Sequence, residues 1–200
     1  MPRRLAVLGA FITLFYPASA SADWLISPFV GVKFGGEICP TSCPGVNDLV
    51  DPEDATGLKK FTFGASGGWL SDGVLGFEGD FAYIAGYFDR GTDPTVTSSK
   101  AYTLMGNVIL AVPVAISRDG LRPYLVGGIG FVRWTRKNPD DVFNASALQP
   151  ALEFGGGALG RLTNRSSVRF ELRRIAGRDD PDLGYGLSFW RATVGVAFRY

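Results

Sequence analysis

Two hundred residues make one domain's worth of chain, and 46% hydrophobic residues with 13% aromatics are enough for a core or a lipid-facing belt. A formal net charge of +1 gives no electrostatic footing for a nucleic-acid partner. The chain has no histidine, which removes Ser-His and His-metal chemistry at the outset. Its 27 glycines are many for a soluble globule and suit tight turns and the inward positions of a narrow barrel.

At the amino-terminus, Arg3 and Arg4 precede an apolar stretch from Leu5 to Tyr16, and small residues follow as far as Ala22. This is the pattern of a secretory signal peptide, with Ala20-Ser21-Ala22 as the cleavage site. It predicts a signal peptide over residues 1–22 and a mature domain over residues 23–200. Cleavage would remove Arg3 and Arg4 and tip the balance to slightly acidic. The apolar stretch is too short for an anchor, and no later run approaches the roughly eighteen residues of a spanning helix. An exported chain of this kind either floats free or crosses lipid as a closed barrel.

The first strand is expected over 24–34, with Trp24, Ile26, Val30, Val32 and Phe34 on one face and Ser27, Gly31 and Lys33 on the other. Pro28 interrupts it and requires a missing or bulged ladder bond there. A long polar stretch over 35–60 holds Cys39 and Cys43. In an exported protein they read as a disulfide pinching a small loop, since a metal needs more ligands than two thiols. The acids Asp48, Asp51, Glu53 and Asp54 in the same stretch lack the spacing of a calcium loop and read as solvated surface.

Strand two, 61–70, sets Phe61, Phe63, Ala65 and Trp69 against Thr62, Gly64, Ser66 and Gly68. Ser71-Asp72-Gly73 supplies a hairpin turn. Strand three, 74–88, sets Leu75, Phe77, Phe81 and Tyr83 against Glu78 and Asp80. A polar stretch over 89–99 follows. Strand four, 101–112, turns Tyr102, Leu104, Val108, Leu110 and Val112 out, with Thr103 and Asn107 in. After the short link 113–120, strand five, 121–135, is ambiguous in phase. The choice made is Tyr124, Val126, Val132 and Trp134 out with Arg133 in, against the opposing pull of Leu125, Ile129 and Phe131.

A third long loop is expected over 137–150. Strand six, 151–162, sets Leu152, Phe154 and Leu162 against Glu153, Gly155, Gly157 and Arg161. Its three consecutive glycines lie within a strand pattern and do not form a phosphate loop. Strand seven, 167–176, sets Val168, Phe170 and Leu172 against Arg169, Glu171 and Arg173. A fourth long loop over 177–187 carries Asp179, Asp180 and Asp182, again solvated. The last strand, 188–200, has Trp190, Ala192, Val194, Val196, Phe198 and Tyr200 on one face and Arg191, Thr193, Gly195, Ala197 and Arg199 on the other.

Eight strands joined by connections that alternate long and short predict an all-β, antiparallel, up-and-down transmembrane β-barrel. Aromatic residues near the strand ends (Trp24, Phe34, Phe61, Trp69, Tyr102, Tyr124, Trp134, Trp190, Tyr200) suit interfacial girdles. The segments SPFVGVKFGG, GFEGDF, LMGNVILAVP, RPYLVGGIG, LEFGGGALGRLTNRSSVRFELR and GVAFRY, in that order, resemble the outer-membrane β-barrel domain family, OmpA-like in architecture. The terminal strand, with Trp190, Val194, Val196, Phe198 and Tyr200 alternating to an aromatic end, is similar to that family's assembly signal. The resemblance implies a bacterial outer membrane, lipid and lipopolysaccharide as surroundings, and insertion by an outer-membrane assembly machine. It implies no single activity. No peptidoglycan-binding domain accompanies the barrel in this sequence.

The residues expected to carry the interior are the charges Lys33, Glu78, Asp80, Glu153, Arg161, Arg169, Glu171, Arg173 and Arg191, with Arg133 and Arg199 beside them. Eight strands leave an interior that side chains fill, so these charges must pair or meet water. One reading is a salt-bridged plug in a structural or surface-interaction monomer whose long loops face outward and whose termini lie in the periplasm. A second is a narrow passive channel whose arginine excess favours anions. A third is a soluble periplasmic barrel holding an apolar ligand in the manner of lipocalins. None of them needs a catalytic residue, a metal or a cofactor.

Overall fold

Alternation at period two gives each segment two unlike faces, and a strand has nowhere to hide both except in a sheet closed on itself. The structure, a computed structural model, describes residues 22–35, 60–86, 98–117, 120–137, 145–177 and 188–200. Its strands are β1 (Ala22–Phe34), β2 (Lys60–Ser71), β3 (Leu75–Ala85), β4 (Ser98–Ala111), β5 (Leu121–Lys137), β6 (Ala145–Arg161), β7 (Ser166–Gly177) and β8 (Ser188–Arg199). Each pairs antiparallel with its sequence neighbour, and β8 pairs with β1 to close the barrel. The proposed signal sequence before Ala22, both cysteines and the acidic stretches around Asp48 to Asp54 and Asp179 to Asp182 lie outside the described residues.

One end of the barrel carries the short connections, after β2, β4 and β6, together with Ala22 and Tyr200; the other carries the long ones. Beyond shifts of one to three residues at other strand ends, three features differ from expectation. β3 stops at Ala85 because Gly86 adopts a positive φ of 63° and turns the chain. The link after β4 contains one helical turn, α1 (Val114–Ser117), whose Ile116 and Ser117 amides donate to the Pro113 carbonyl at 3.0 and 3.1 Å. Residues 145–150, expected in a loop, instead extend β6, pairing Pro150 with Phe131 and Ala147 with Trp134.

β5 is the larger correction. Leu125 and Ile129 are 65% and 69% exposed on the outer wall, while Tyr124 and Val126 are each 4% exposed inside. Val132 and Trp134 are likewise buried, and Arg133 points outward. The phase is opposite to that expected, and Tyr124 and Trp134 are not girdle residues. The reason is that the lumen is not polar throughout, so apolar residues fall on both faces of β5 and hydropathy alone cannot choose between them.

The rest of the outer wall is as apolar as lipid requires. Phe61, Phe63, Phe77, Phe81, Leu104, Leu152 and Phe170 are exposed along it. Trp69 stacks on Phe77 at 6.2 Å toward the turn end, and Phe63, Tyr83 and Tyr102 form a run toward the loop end, with centroids 5.0 and 5.1 Å apart. The β1–β8 ladder skips Ser27 and Pro28 between Ile26–Phe198 and Phe29–Gly195, which is the gap that proline demands.

Glycines serve two different purposes on the two faces. At inward Gly64 an added Cβ would run into the Phe81 carbonyl and lie 2.7 Å from the Phe29 ring. At outward Gly79 its nearest neighbour would be the Gly67 carbonyl at 3.8 Å, an ordinary contact. Gly64→Ala should therefore lower the folded fraction in lipid vesicles while Gly79→Ala leaves it unchanged. Heat-modifiable gel migration reads both, and equal behaviour of the pair would contradict the assignment of faces.

Candidate functional site

Inward positions near mid-height of β3, β6, β7 and β8 bring together Glu78, Asp80, Glu153, Arg169, Glu171, Arg173 and Arg191, all buried. Arg173 lies at the centre with no exposed surface. Its Nη2 is 2.7 Å from Glu78 Oε1 and also donates to Glu171 Oε1; its Nη1 is 3.2 Å from Glu153 Oε1 and 3.7 Å from Asp80 Oδ2. Arg191 Nη2 donates to Asp80 Oδ1 at 2.7 Å and to Glu153 Oε1 at 3.0 Å. Arg169 pairs with Glu78 through Nη1 and stands 2.7 Å from Glu171 Oε1 through Nη2.

The remaining strands complete the layer. From β5, the Tyr124 hydroxyl donates to Glu171 Oε1 at 2.6 Å and accepts from Arg169 Nε at 2.8 Å. From β2, Ser66 Oγ accepts from Arg169 Nη1 at 3.0 Å, and from β4, Asn107 Nδ2 donates to Glu153 Oε2 at 3.3 Å. From β1, the Phe29 ring lies 5.2 Å beneath the Arg191 guanidinium. Every strand thus contributes to one ionic layer. Gly157 leaves the space in which Tyr124 sits, for a Cβ there would lie 2.6 Å from the tyrosine oxygen.

Two apolar clusters flank this layer. Toward the loop end are Ile84, Met105, Val132, Trp134, Ile175 and Phe189, with smaller neighbours. Toward the turn end are Leu25, Leu70, Ile109, Tyr124, Val126 and Leu159. The ionic layer thus sits between two apolar clusters, with buried Lys33, Thr62, Thr103 and Gln149 also facing inward on the loop-end side.

Sequence reasoning placed Glu78, Asp80, Glu153, Arg169, Glu171, Arg173 and Arg191 on inward faces, and the structure brings these seven into contact. Lys33 is also buried inward, close to the loop end and opposite Lys60 and Arg191 in register. Arg161 shares the inward parity but is exposed at the turn-end mouth, because parity sets the face and not the height. Arg199 is at the same mouth, 3.4 Å from Asp23. The expected arginine excess is absent from the central layer: three guanidiniums face four carboxylates.

Two contributors were missed. Tyr124 went astray with the phase of β5, and so did buried Arg122. Arg122 Nε donates to the Val112 carbonyl at 2.8 Å, and its Nη2 donates to the Ser71 and Gly73 carbonyls at 2.7 and 2.8 Å, joining two short turns. The available signal was an arginine one residue inside a strand that follows a short turn, where orphan carbonyls gather. No group of three or more metal-binding side chains poised to hold an ion occurs among the described residues.

An apolar outer wall with charge packed inside reverses the arrangement of a soluble ligand-holding barrel and defines a transmembrane β-barrel with a filled lumen. The chain belongs to the outer membrane protein beta-barrel domain family, which it matches over residues 6–199. No curated protein matches it in sequence. Among solved structures it is similar to neisserial surface protein A, with TM-score 0.63 and 13% identity over 90% of this chain and 99% of that one. The N-terminal β-barrel of Pseudomonas aeruginosa OprF, an OmpA-like barrel, gives TM-score 0.55 and 17% identity, covering 88% of this chain and 97% of that one. Ail, the attachment invasion locus protein of Yersinia pestis, gives 0.54 and 10%, covering 90% and 98%. At these identities the likeness is one of fold.

Arg173 is the keystone of the ionic layer, and removing it strands several buried carboxylates. Arg173→Met should lower stability in lipid by ~3–5 kcal/mol, the cost of leaving buried partners uncompensated. Adding Glu78→Gln should recover part of that loss. Urea unfolding in vesicles measures both; a double variant no better than the single would deny the coupling.

Proposed function

We propose that this chain is a closed, non-conducting outer-membrane barrel that holds its long connections at the cell surface as a structural or surface-interaction module. The observation that carries the reading is the packed lumen: an ion-paired layer of buried charges with an apolar cluster on either side fills the interior with side chains. A continuous polar path would require breaking these buried ion pairs. No catalytic role is assigned to any residue, since the buried carboxylates and guanidiniums are engaged with one another in ion pairs.

In this reading residues 1–22 are cleaved, the termini lie in the periplasm, and Cys39 and Cys43 brace the first outer connection. The outward residues of β8 (Trp190, Val194, Val196 and Phe198) and the Tyr200 that follows are what an assembly machine reads, and the barrel works as a monomer. A surface role accords with the names of two similar folds, a neisserial surface protein and an attachment invasion locus protein.

Planar bilayers decide between this reading and a narrow channel. Folded protein should give no regular conductance steps at moderate voltage. Reproducible steps that disappear in Arg169→Gln would overturn the sealed lumen. A protease-sensitive tag in the long connection after β1, cleaved in intact cells, checks the orientation separately; cleavage only after the outer membrane is opened would reverse it.

A further inference from the structure

The turn-end mouth of the lumen gathers guanidiniums that take no part in the ionic layer. Arg122 at the start of β5, Arg161 at the end of β6 and Arg199 at the end of β8 line one recess, with Ser117, Ser167 and Leu159 among them. Leu159 lies two residues deeper than Arg161 on the same face of β6 and belongs to the turn-end apolar cluster. The recess therefore has an apolar floor.

Charge at this mouth is not matched as it is in the central layer. Arg122 gives Nε to the Val112 carbonyl and Nη2 to the carbonyls of Ser71 and Gly73, all of them neutral acceptors. Arg199 meets Asp23 at 3.4 Å across a partly exposed gap, a loose pair. The described side chains at this end include two acids, Asp23 and Asp72, against Arg122, Arg161, Arg165 and Arg199. Residues 118 and 119, outside the described residues, are one arginine and one aspartate in sequence and leave that excess unchanged.

A second observation points to a ligand. Ser167 is 1% exposed and lines the same recess, and its hydroxyl has no hydrogen-bond partner among the described residues. Buried hydroxyls are ordinarily paired. The recess has a volume of about 30 Å³, and one oxygen-sized occupant needs roughly 10–15 Å³. There is room for two oxygens, the head of a carboxylate, and not for the four of a phosphate group. Guanidinium forks present their N–H donors in the geometry those two oxygens accept.

We propose that the turn-end mouth is a carboxylate-binding site. Arg122 and Arg199 hold the two oxygens, Ser167 Oγ donates to one of them, and Arg161 covers them from the rim. The rest of the ligand extends out of the mouth, so the carboxylate belongs either to a small free acid or to the end of a peptide. The orientation proposed above puts this mouth in the periplasm, but the binding itself does not rest on that orientation.

The test uses the full mature barrel folded in zwitterionic detergent micelles, with fluoroacetate as the probe and fluorine NMR line broadening as the readout. Wild type should bind the probe saturably. R161Q/R199Q should weaken binding by about tenfold and S167A by about threefold, as expected for charged and neutral donors lost. Fluoroacetamide, similar in shape but uncharged, should not bind. Wild-type affinity in S167A or in R161Q/R199Q, binding of the amide, or displacement by an equal concentration of chloride would overturn the proposal. Inorganic phosphate competing better than acetate would overturn it too, since the recess has no room for that anion.

Acetylated trialanine with a free carboxyl end separates the two sources. Binding as tight as that of fluoroacetate assigns the site to a peptide end, and its exclusion assigns the site to a small free acid. Gel migration before and after boiling establishes that each variant is folded. Should R161Q/R199Q fail to fold, S167A, which removes one hydroxyl and nothing else, decides the question by the same readout. Conductance steps in wild type would sink the sealed lumen and leave this site standing. Undiminished binding by S167A would sink the site and leave the seal standing.

Discussion

A barrel of eight strands has room inside for side chains and little else, so a charge that points inward must meet its partner there. Arg173 satisfies that constraint with Glu78, Glu171, Glu153 and Asp80 around it, contributed by three different strands. The glycines follow from the same constraint. Each large inward side chain needs a neighbour that gives way, as Gly157 does for Tyr124. The ionic layer thus dictates where the strands can carry bulk and where they cannot.

Hydrocarbon on both sides of that layer changes its energetics. The clusters around Trp134 and Phe189 on one side and Leu25 and Leu159 on the other keep water from the central charges. Exclusion of water strengthens each ion pair and raises the cost of leaving any one unmet. It follows that the layer behaves as a unit, in which the loss of one guanidinium is felt by several carboxylates. That coupling is what the proposed sealed barrel would rely on. Arg122 extends the principle to the turn end, where the unpaired groups are the carbonyls of two short turns.

The outer wall was legible in the sequence because lipid imposes one rule on every second residue. Phe61, Phe63 and Trp69 on β2, or Val168, Phe170 and Leu172 on β7, have no competing place to go. The central charges were legible for the complementary reason: Glu78, Arg169 and Arg173 cannot face lipid at mid-height. β5 was not legible, since Tyr124, Val126, Val132 and Trp134 supply the inner apolar layers while Leu125, Ile129 and Phe131 supply the outer wall. Periodicity then gives no phase, and only the neighbours in three dimensions do. The exposure of Arg161 shows a second limit. Alternation fixes which way a residue points but not how deep it sits, and a residue at the mouth escapes the rule that governs those below it.

The ionic layer also joins the two ends of the chain. Arg173 meets Glu78 across 95 residues of sequence, and Arg191 meets Asp80 across 111. These pairs exist only when the carboxy-terminal strands have come round to the amino-terminal ones. In an open sheet, β7 and β8 would present Arg169, Arg173 and Arg191 with only Glu171 on their own inward faces, and Glu78 and Asp80 would stand apart. Closure therefore makes its long-range electrostatic gain at a late step, after the entropic cost of bringing distant strands together has been met. β8 is suited to that step by its two faces. Trp190, Val194, Phe198 and Tyr200 stay outside, where a proposed assembly factor can reach them, and Arg191 and Thr193 turn in toward Asp80, Glu153 and Glu171. The Tyr200 amide then bonds the Trp24 carbonyl at 3.0 Å, so the residue that follows the closing strand is held by the first strand of the barrel.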